Sequence, residues 1–493
     1  MKKSVIIIGS GMGGMAAGIY GQINGFQTRI YEMHSIPGGQ CTSWKRKGYT
    51  FDACIHHLMG CSPSLKINQL WSELGAMPQD LVYTKECVSV ISSDGKTFND
   101  YYDLNKLEEH MLELAPQDKK AIKDYINGIK LFTEFDLMGS LMLGNTSDIL
   151  KLTPKLLQAI KWMKTSMADY AKRFSNPLLQ KAFPLLEYSI SDCPFLLHLA
   201  KHASGSNKDI AWPIGGSITL SNSMAKRYVE LGGDIQYNKK VTKIITKDGA
   251  AIGVKFQDGS EDFADIIISN ADGRKTLLEL LDGTYMNKQL TEYCTEPNDE
   301  TNWAVHIFLG VDRDLSNEPS SVVMLLDTPV TIAGHENQSI EMQIYSFDKT
   351  MAPDGKGVIK VELVSKYSYW KELYQNKSQY EAEKQKVTSQ VINLLGNHFH
   401  GITEQIEIVD VPTLMTWERF MGGTHGFCNS PNKKLDIIGS MLKCKDMLVP
   451  GLDNFYFVGA WATSTGALFA NALSGKRAMQ HICKKNKIKF LVQ

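Results

Sequence analysis

The stretch that most constrains this chain is Val5-Ile6-Ile7-Ile8-Gly9-Ser10-Gly11-Met12-Gly13-Gly14, four apolar residues breaking directly into a Gly-x-Gly-x-x-Gly turn. Such an unbroken apolar run reads as a strand buried on both faces, the central position of a parallel sheet. Gly9 permits the tight turn, Gly11 lets the backbone approach a pyrophosphate, and Gly14 lets the next helix pack closely, while that helix presents its N-terminus, Gly13 included, to the phosphates. A second apolar run, Thr28-Arg29-Ile30-Tyr31, ends on Glu32, eighteen residues past the last glycine. A carboxylate there accepts hydrogen bonds from ribose hydroxyls and repels a 2′-phosphate. The unit is a dinucleotide grip, with NAD and FAD both open. Lys2-Lys3 ahead of the apolar run would suit a signal peptide, but glycines interrupt its would-be core and no small-residue cleavage site follows.

Composition narrows the partners. Lys+Arg and Asp+Glu balance at 53 each, and the longest basic stretch is Lys484-Lys485-Asn486-Lys487-Ile488-Lys489, which reads as a solvated end, so a nucleic-acid binder is not expected. Nine cysteines without a pairing pattern point to reduced thiols and a cytoplasmic location. No apolar stretch reaches the eighteen or so residues of a membrane span, so any membrane contact is expected to be peripheral.

The pattern changes along the 493 residues. Residues 1–75 open as β-α-β with a Pro37-Gly38-Gly39 extension, and about 100–204 reads as a helical insert, including Leu150 to Phe174 with apolar steps of three and four. At Trp212-Pro213-Ile214-Gly215-Gly216-Ser217 α/β character returns, with a helix, a β-meander and the run Ala264 to Asn270. Residues 303–408 alternate strands with one long polar helix, Gln379 to Leu395, and the chain closes on Asn454 to Ala460 as a strand followed by a small-residue helix. The expected class is α/β: a Rossmann-like FAD-binding domain assembled from residues 1–75, 205–285 and 440–493. A substrate domain of antiparallel sheet with a helical lid takes 76–204 and 286–439. The far segment favours FAD, because an extended FAD needs a second helix N-terminus from elsewhere in the chain; Gly459-Ala460-Trp461 and the helix after Gly466-Ala467 are expected to supply those backbone N–H groups.

The fingerprint with Glu32, the Pro37-Gly38-Gly39 box, the Gly48 to Asp52 strand, the Trp212 to Gly216 box, the Ala264 to Asp272 strand and the Gly459 to Ala478 segment together resemble one family. It is the phytoene desaturase, carotenoid isomerase and retinol saturase branch of the FAD-dependent amine oxidase superfamily. The resemblance implies that Gly9, Gly11, Gly14, Glu32, Gly39, Val241 and Gly459 lie on FAD, Val241 through its backbone at the adenine, with Gly13, Gly38, Ala460, Gly466 and Ala467 in the same binding set. Where phytoene desaturases carry a Pro-Gly-Gly-Gly-type run, this chain has Ala462-Thr463-Ser464-Thr465-Gly466, a bulkier loop that weighs against a long polyene.

Two segments outside the grip could carry chemistry. Asp52 to Cys61 holds two histidines and two cysteines, but adjacent His56 and His57 do not suit the spaced ligand pairs of zinc, and no metal is expected. His56, just past a strand, is expected near the flavin as a proton-transfer group, with His57 toward substrate; a structural role for His56 stands beside this. In Thr416 to Gly426, Trp417 and Phe420 are expected to wall the substrate cavity and anchor a glycine-rich loop, and His425 stands evenly between a catalytic and a structural part. The implied activity is hydride transfer at a carbon–carbon bond of a hydrophobic, polyene or isoprenoid substrate: desaturation, saturation or isomerisation. Flavin amine oxidation is the alternative. A non-catalytic escort or GDP-dissociation-inhibitor-like protein is a second one, disfavoured by the intact glycines and Glu32.

Overall fold

The computed structural model describes residues 2–144, 146–187, 190–295, 300–423, 448–463 and 466–493. His425 lies outside the described residues. Within them the chain is mixed α/β, and its two main sheets differ in kind.

The first is a parallel sheet of five strands in the order Asp234–Gln236, Gln27–Tyr31, Ser4–Ile8, Ile266–Ser269 and Phe455–Phe457. The four-residue apolar run sits at its centre with Val5, Ile6 and Ile7 sealed from solvent, each contributing about 1.5–3 kcal/mol of burial. Helix Met12–Ile23 follows the glycine turn and packs on the late helix Leu468–Lys485. The contact is close because both surfaces are small: a Cβ on Gly475 would lie 2.3 Å from the Gly13 carbonyl and 2.7 Å from the Ala17 nitrogen.

The second sheet has seven strands in the order Ile406–Asp410, Glu300–Val311, Gly357–Lys366, His335–Ile344, Ser321–Ile332, Glu86–Ile91 and Thr97–Tyr101. It is antiparallel except where Ser321–Ile332 meets Glu86–Ile91. The hairpin Glu86 to Tyr101 thus extends this sheet, which its position before the helical insert did not announce. One face carries Val305, Ile307, Leu309, Ile359, Val361, Leu363, Met342 and Ile344, packed with Val387, Val391 and Leu395 of helix Lys377–Gly396. The period of two then puts His306, Phe308, Lys360, Glu362, Glu341 and Gln343 on the opposite face.

That opposite face looks toward strand Tyr49–Asp52. Tyr345 donates to the Asp52 carbonyl at 3.3 Å and Gln343 Nε2 to the His56 carbonyl at 3.2 Å. Asp52, fully buried, accepts from the Ser217 amide at 2.6 Å and its hydroxyl at 2.7 Å. Asp348 accepts from Trp212 Nε1 and the Gly215 amide, both at 2.8 Å. The Trp212 to Ser217 box therefore ties the sheets together, and Gly215 and Gly216 are needed at φ of 87° and 72°.

Helices from Leu104 to Ser206 form the expected insert around their own aromatic core. The interval Leu150 to Phe174 is divided between Thr146–Met163 and Met167–Ala171, the second opened by the Ser166 cap. A buried polar chain crosses this core. Glu187 meets Lys201 at 3.0 Å and His198 at 2.8 Å, His198 meets the Tyr125 hydroxyl at 2.7 Å, and Tyr125 donates to Asp100 at 2.9 Å.

Gly475→Ala is expected to lower unfolding free energy by about 1–3 kcal/mol through overpacking against backbone that cannot retreat. Gly396→Ala, where a Cβ meets nothing within 4 Å, is the matched control expected to leave the urea midpoint unchanged or raised.

Candidate functional site: a glycine-turn cavity and a buried polar row

A cavity of 450 Å³ opens at the carboxyl end of the parallel sheet, where doubly wound folds hold their ligands. Gly9, Gly11, Glu32, Gly39 and Val241 border it, together with Trp417 and Phe420. Arg46, Lys240, Lys275, Lys384 and Arg419 outnumber Glu32 and Asp410 in its lining, Arg46 lying 3.6 Å from Asp410, an excess of the sign a pyrophosphate requires. Gly9 takes φ of 92° to make the turn, and Gly38 reaches it by donating to the Ser10 carbonyl at 2.9 Å.

Glu32 closes one end and is nearly buried. Its Oε2 accepts from the Ser10 amide and hydroxyl and its Oε1 from the His34 amide, all at 2.8 Å. A carboxylate has about four acceptor positions. Three of them serve the protein among the described residues, and Oε1 retains capacity for a ribose hydroxyl.

The remaining glycines work behind the cavity wall. A Cβ on Gly14 would sit 2.1 Å from the Gly9 carbonyl, and one on Gly13 would sit 2.6 Å from the Gly459 nitrogen. Gly38 is pressed against Ser221, and Gly11 and Gly459 both face the Asn270 amide group. Gly459, Ala460, Gly466 and Ala467 do not border the cavity. The Gly459 N–H, expected to face a cofactor, donates to Ser474 Oγ at 2.7 Å in this structure. Ala460–Thr463 is a short helix and Ala467 precedes helix Leu468–Lys485.

The Trp417 segment is likewise not a loop. Leu414–Met421 is a helix, capped by the Thr413 hydroxyl and ended by Gly422 at φ of 68°. Trp417 is buried as expected, whereas Phe420 is 42% exposed and meets the His34 ring edge-on at 5.4 Å. Glu418 does not pair with Arg419; it accepts from Tyr367 at 2.7 Å, and Arg419 lies over the Phe420 ring.

His56 and His57 border a second, smaller cavity of 60 Å³, with no lining residue in common with the first. Helix residue Lys201, hairpin residue Cys87 and sheet residues Glu341, Gln343 and Glu362 share it. His56 Nε2 lies 2.8 Å from Glu362 Oε2, while Lys360 Nζ is 2.8 Å and His306 Nε2 3.7 Å from Glu362 Oε1. Burial alone would raise the Glu362 carboxyl, but His56, Lys360 and His306 hold it well below the usual carboxylate range. Burial pushes the His56 imidazole down against the pull of Glu362, and it carries His57, beside Lys201, down to about 3. The His306 ring is 5.1 Å from Trp417, so a single side chain separates this row from the wall of the larger cavity. His306, Lys360 and Glu362 were not singled out from the sequence. The available signal was Val358-Ile-Lys-Val-Glu-Leu363, which puts charge at alternate positions of an otherwise apolar strand.

A family profile described as flavin containing amine oxidoreductase matches residues 12–483. The chain belongs to that family. Among curated relatives, prolycopene isomerase of Daucus carota is 24% identical over 85% of this chain and 71% of its own. Phytoene desaturase (lycopene-forming) of Pseudescherichia vulneris is 29% identical over 57% of this chain and 58% of its own. Among solved structures, putrescine oxidase bound to putrescine superposes with a TM-score of 0.59 at 14% identity, covering 98% of this chain and 99% of the other. Rab GDI of Plasmodium falciparum gives 0.52 at 13%, covering 97% and 98%, a likeness of fold alone.

This flavin-containing amine oxidoreductase is an FAD-dependent enzyme. Its residues fit the cofactor. The backbone is bare of Cβ atoms at Gly9 and Gly11, Arg and Lys side chains border the cavity, and Glu32 lines it with acceptor capacity to spare. Among the described residues no group of three or more His, Cys, Asp or Glu is placed to hold a metal. Glu32→Ala is expected to weaken FAD binding by about 10–100-fold, the worth of a hydrogen bond to a charged group. Titration of the apoprotein with FAD, followed by quenching of flavin fluorescence, measures it.

Proposed function

We propose that this oxidoreductase moves hydrogen at carbon–carbon bonds of a hydrophobic polyene or isoprenoid, by desaturation, saturation or isomerisation. The reading is carried by similarity along 85% of the chain to prolycopene isomerases. FAD bound at the glycine turn supplies the hydride acceptor or donor.

The protein's part is to hold the substrate and keep water out. Buried Trp417 walls the cavity and Phe420 lies at its exposed border. His56 holds or moves a proton at the second cavity, which Leu185, Leu186 and Lys201 of the helical insert cover. With His425, these are the residues we assign to substrate and proton handling.

The holoenzyme is expected to show a changed flavin spectrum under anaerobic conditions with hydrocarbon polyenes, or, once reduced, to isomerise or saturate them, and to be unaffected by primary and secondary amines. Reduction of the flavin by amines alone would overturn this reading in favour of amine oxidation.

We propose further that the substrate is collected at a lipid surface. No helix among the described residues is long and apolar enough to cross a membrane. Helix Thr146–Met163 nevertheless exposes Leu157, Ile160 and Met163 at three-residue steps, with exposures of 62, 55 and 46%. Replacing all three with Ser is expected to abolish co-sedimentation with phospholipid vesicles while turnover of detergent-dispersed substrate persists; unchanged co-sedimentation would rule this face out.

A further inference from the structure

Helix Thr146–Met163 turns one face into the insert and leaves the other bare. Ala159 and Trp162 are buried, whereas Leu157, Ile160 and Met163 stand half-exposed away from them. None of the three borders either cavity, so the ridge is a raised surface and not the wall of a pocket. Its surroundings are cationic. Lys161 and Lys164 are exposed on the same stretch, and Lys161 Nζ lies 2.6 Å from Asp124 of helix Lys119–Thr133, which fixes the two helices side by side at this point. Asp124 also takes Arg173 at 2.6 Å, so one carboxylate already serves two cations. Lys120, one helical turn before Asp124, and Lys123, next to it, are both exposed. Among the described residues Lys120, Lys123 and Lys164 make no ion pair, and Asp169 of the following helix is taken by Lys172 at 2.7 Å. Lys120, Lys123, Lys161, Lys164 and Arg173 thus flank the ridge with Asp124 as their shared carboxylate.

We infer that the partner of this ridge is an anionic lipid bilayer. The aliphatic tips enter the acyl boundary, while the ammonium groups stay at the phosphate level on their long apolar stems. This choice of surface rests on the collection at a lipid surface proposed above and adds its charge. Three aliphatic side chains on one helix face bind a neutral bilayer weakly and reversibly, whereas each lysine close to an anionic surface strengthens binding about fivefold. Charge helps only within a Debye length of the headgroups, about 8 Å at physiological salt. The Lys161–Asp124 contact brings Lys120 and Lys123 of the second helix to the flank of the ridge, where that condition is met. An acidic protein would complement the charge as well, but it would need a concavity matched to Leu157, Ile160 and Met163, while a fluid bilayer accepts them in any rotamer.

Co-sedimentation of the holoenzyme with phosphatidylcholine vesicles, with and without phosphatidylserine, tests it. Binding is expected to be about 100-fold tighter with phosphatidylserine, and the difference to shrink as salt is raised. The variant Lys120→Gln/Lys123→Gln/Lys164→Gln keeps the Lys161–Asp124 pair. At about fivefold for each lysine, it is expected to lose about 100-fold in affinity for the phosphatidylserine vesicles, at unchanged flavin content and unchanged affinity for phosphatidylcholine. Lys120→Arg/Lys123→Arg/Lys164→Arg, which keeps the charge, is expected to bind as the wild type does. Equal affinity for the two vesicles, binding insensitive to salt, or an unmoved affinity in the Gln variant would overturn the inference and leave lipid collection standing on the apolar ridge alone. Binding to neither vesicle would overturn both.

Discussion

The nucleotide half of the molecule depends on an approach of backbone to backbone. A Cβ on Gly13 would come within 2.6 Å of the Gly459 nitrogen, and one on Gly475 within 2.3 Å of the Gly13 carbonyl. Three glycines from the two ends of the chain thus let the first helix, the last strand and the last helix occupy one small volume. At the carboxyl end of the parallel sheet, Asn270 occupies the space left by the missing side chains of Gly11 and Gly459. The glycine fingerprint is therefore two things at once: Gly9 and Gly11 face the cavity, while Gly13 and Gly14 serve packing.

The substrate half depends on a different constraint. A sheet of seven strands with helices on one face must dispose of the other, and this chain covers it with strand Tyr49–Asp52 and the residues after it. The apolar solution would be simple. Instead Lys360, His306 and Gln343 are buried there beside half-buried Glu362, and His56 is brought from the segment after strand Tyr49–Asp52 to meet them. Replacing paired buried charges by hydrophobic residues is often neutral or stabilising, whereas removing one partner typically costs about 3–5 kcal/mol. The row is thus a liability to stability, and its position between two cavities is what makes its retention intelligible.

Much of this was legible in the residues, and the divisions between what was and was not are physical. Val5 to Ile8 declared a central parallel strand because burial on both faces leaves no other pattern, and Glu32 declared its place by following a second such strand. The alternating strands from 303 to 366 and the long helix Lys377–Gly396 were visible for the same reason: period and length. Helix Leu414–Met421 was read as a loop because eight residues are too few to establish a period, although Thr413 and Gly422 bracket it as caps. The contact of the Gly459 N–H with Ser474, fifteen residues on in helix Leu468–Lys485, was not legible, because no spacing rule encodes it. His56 was noticed without its partner, since Glu362 and Lys360 lie three hundred residues away and meet it only through sheet register.

The order of strands in the parallel sheet has a consequence for how the molecule is made. Ser4–Ile8 lies far ahead of its partners in the chain: one neighbour is Ile266–Ser269, whose own outer neighbour is Phe455–Phe457. Strand pairing over such separations is slow, because chain closure must precede any gain from contact. Until Phe455 has been synthesised, the most apolar strand of the protein has an incomplete sheet around it. The seven-stranded sheet has most of its strands by residue 366, and the helical insert packs on its own core earlier still. The parallel sheet is accordingly completed after the other layers, and nascent chains must keep Val5 to Ile8 covered until strand Phe455–Phe457 is available.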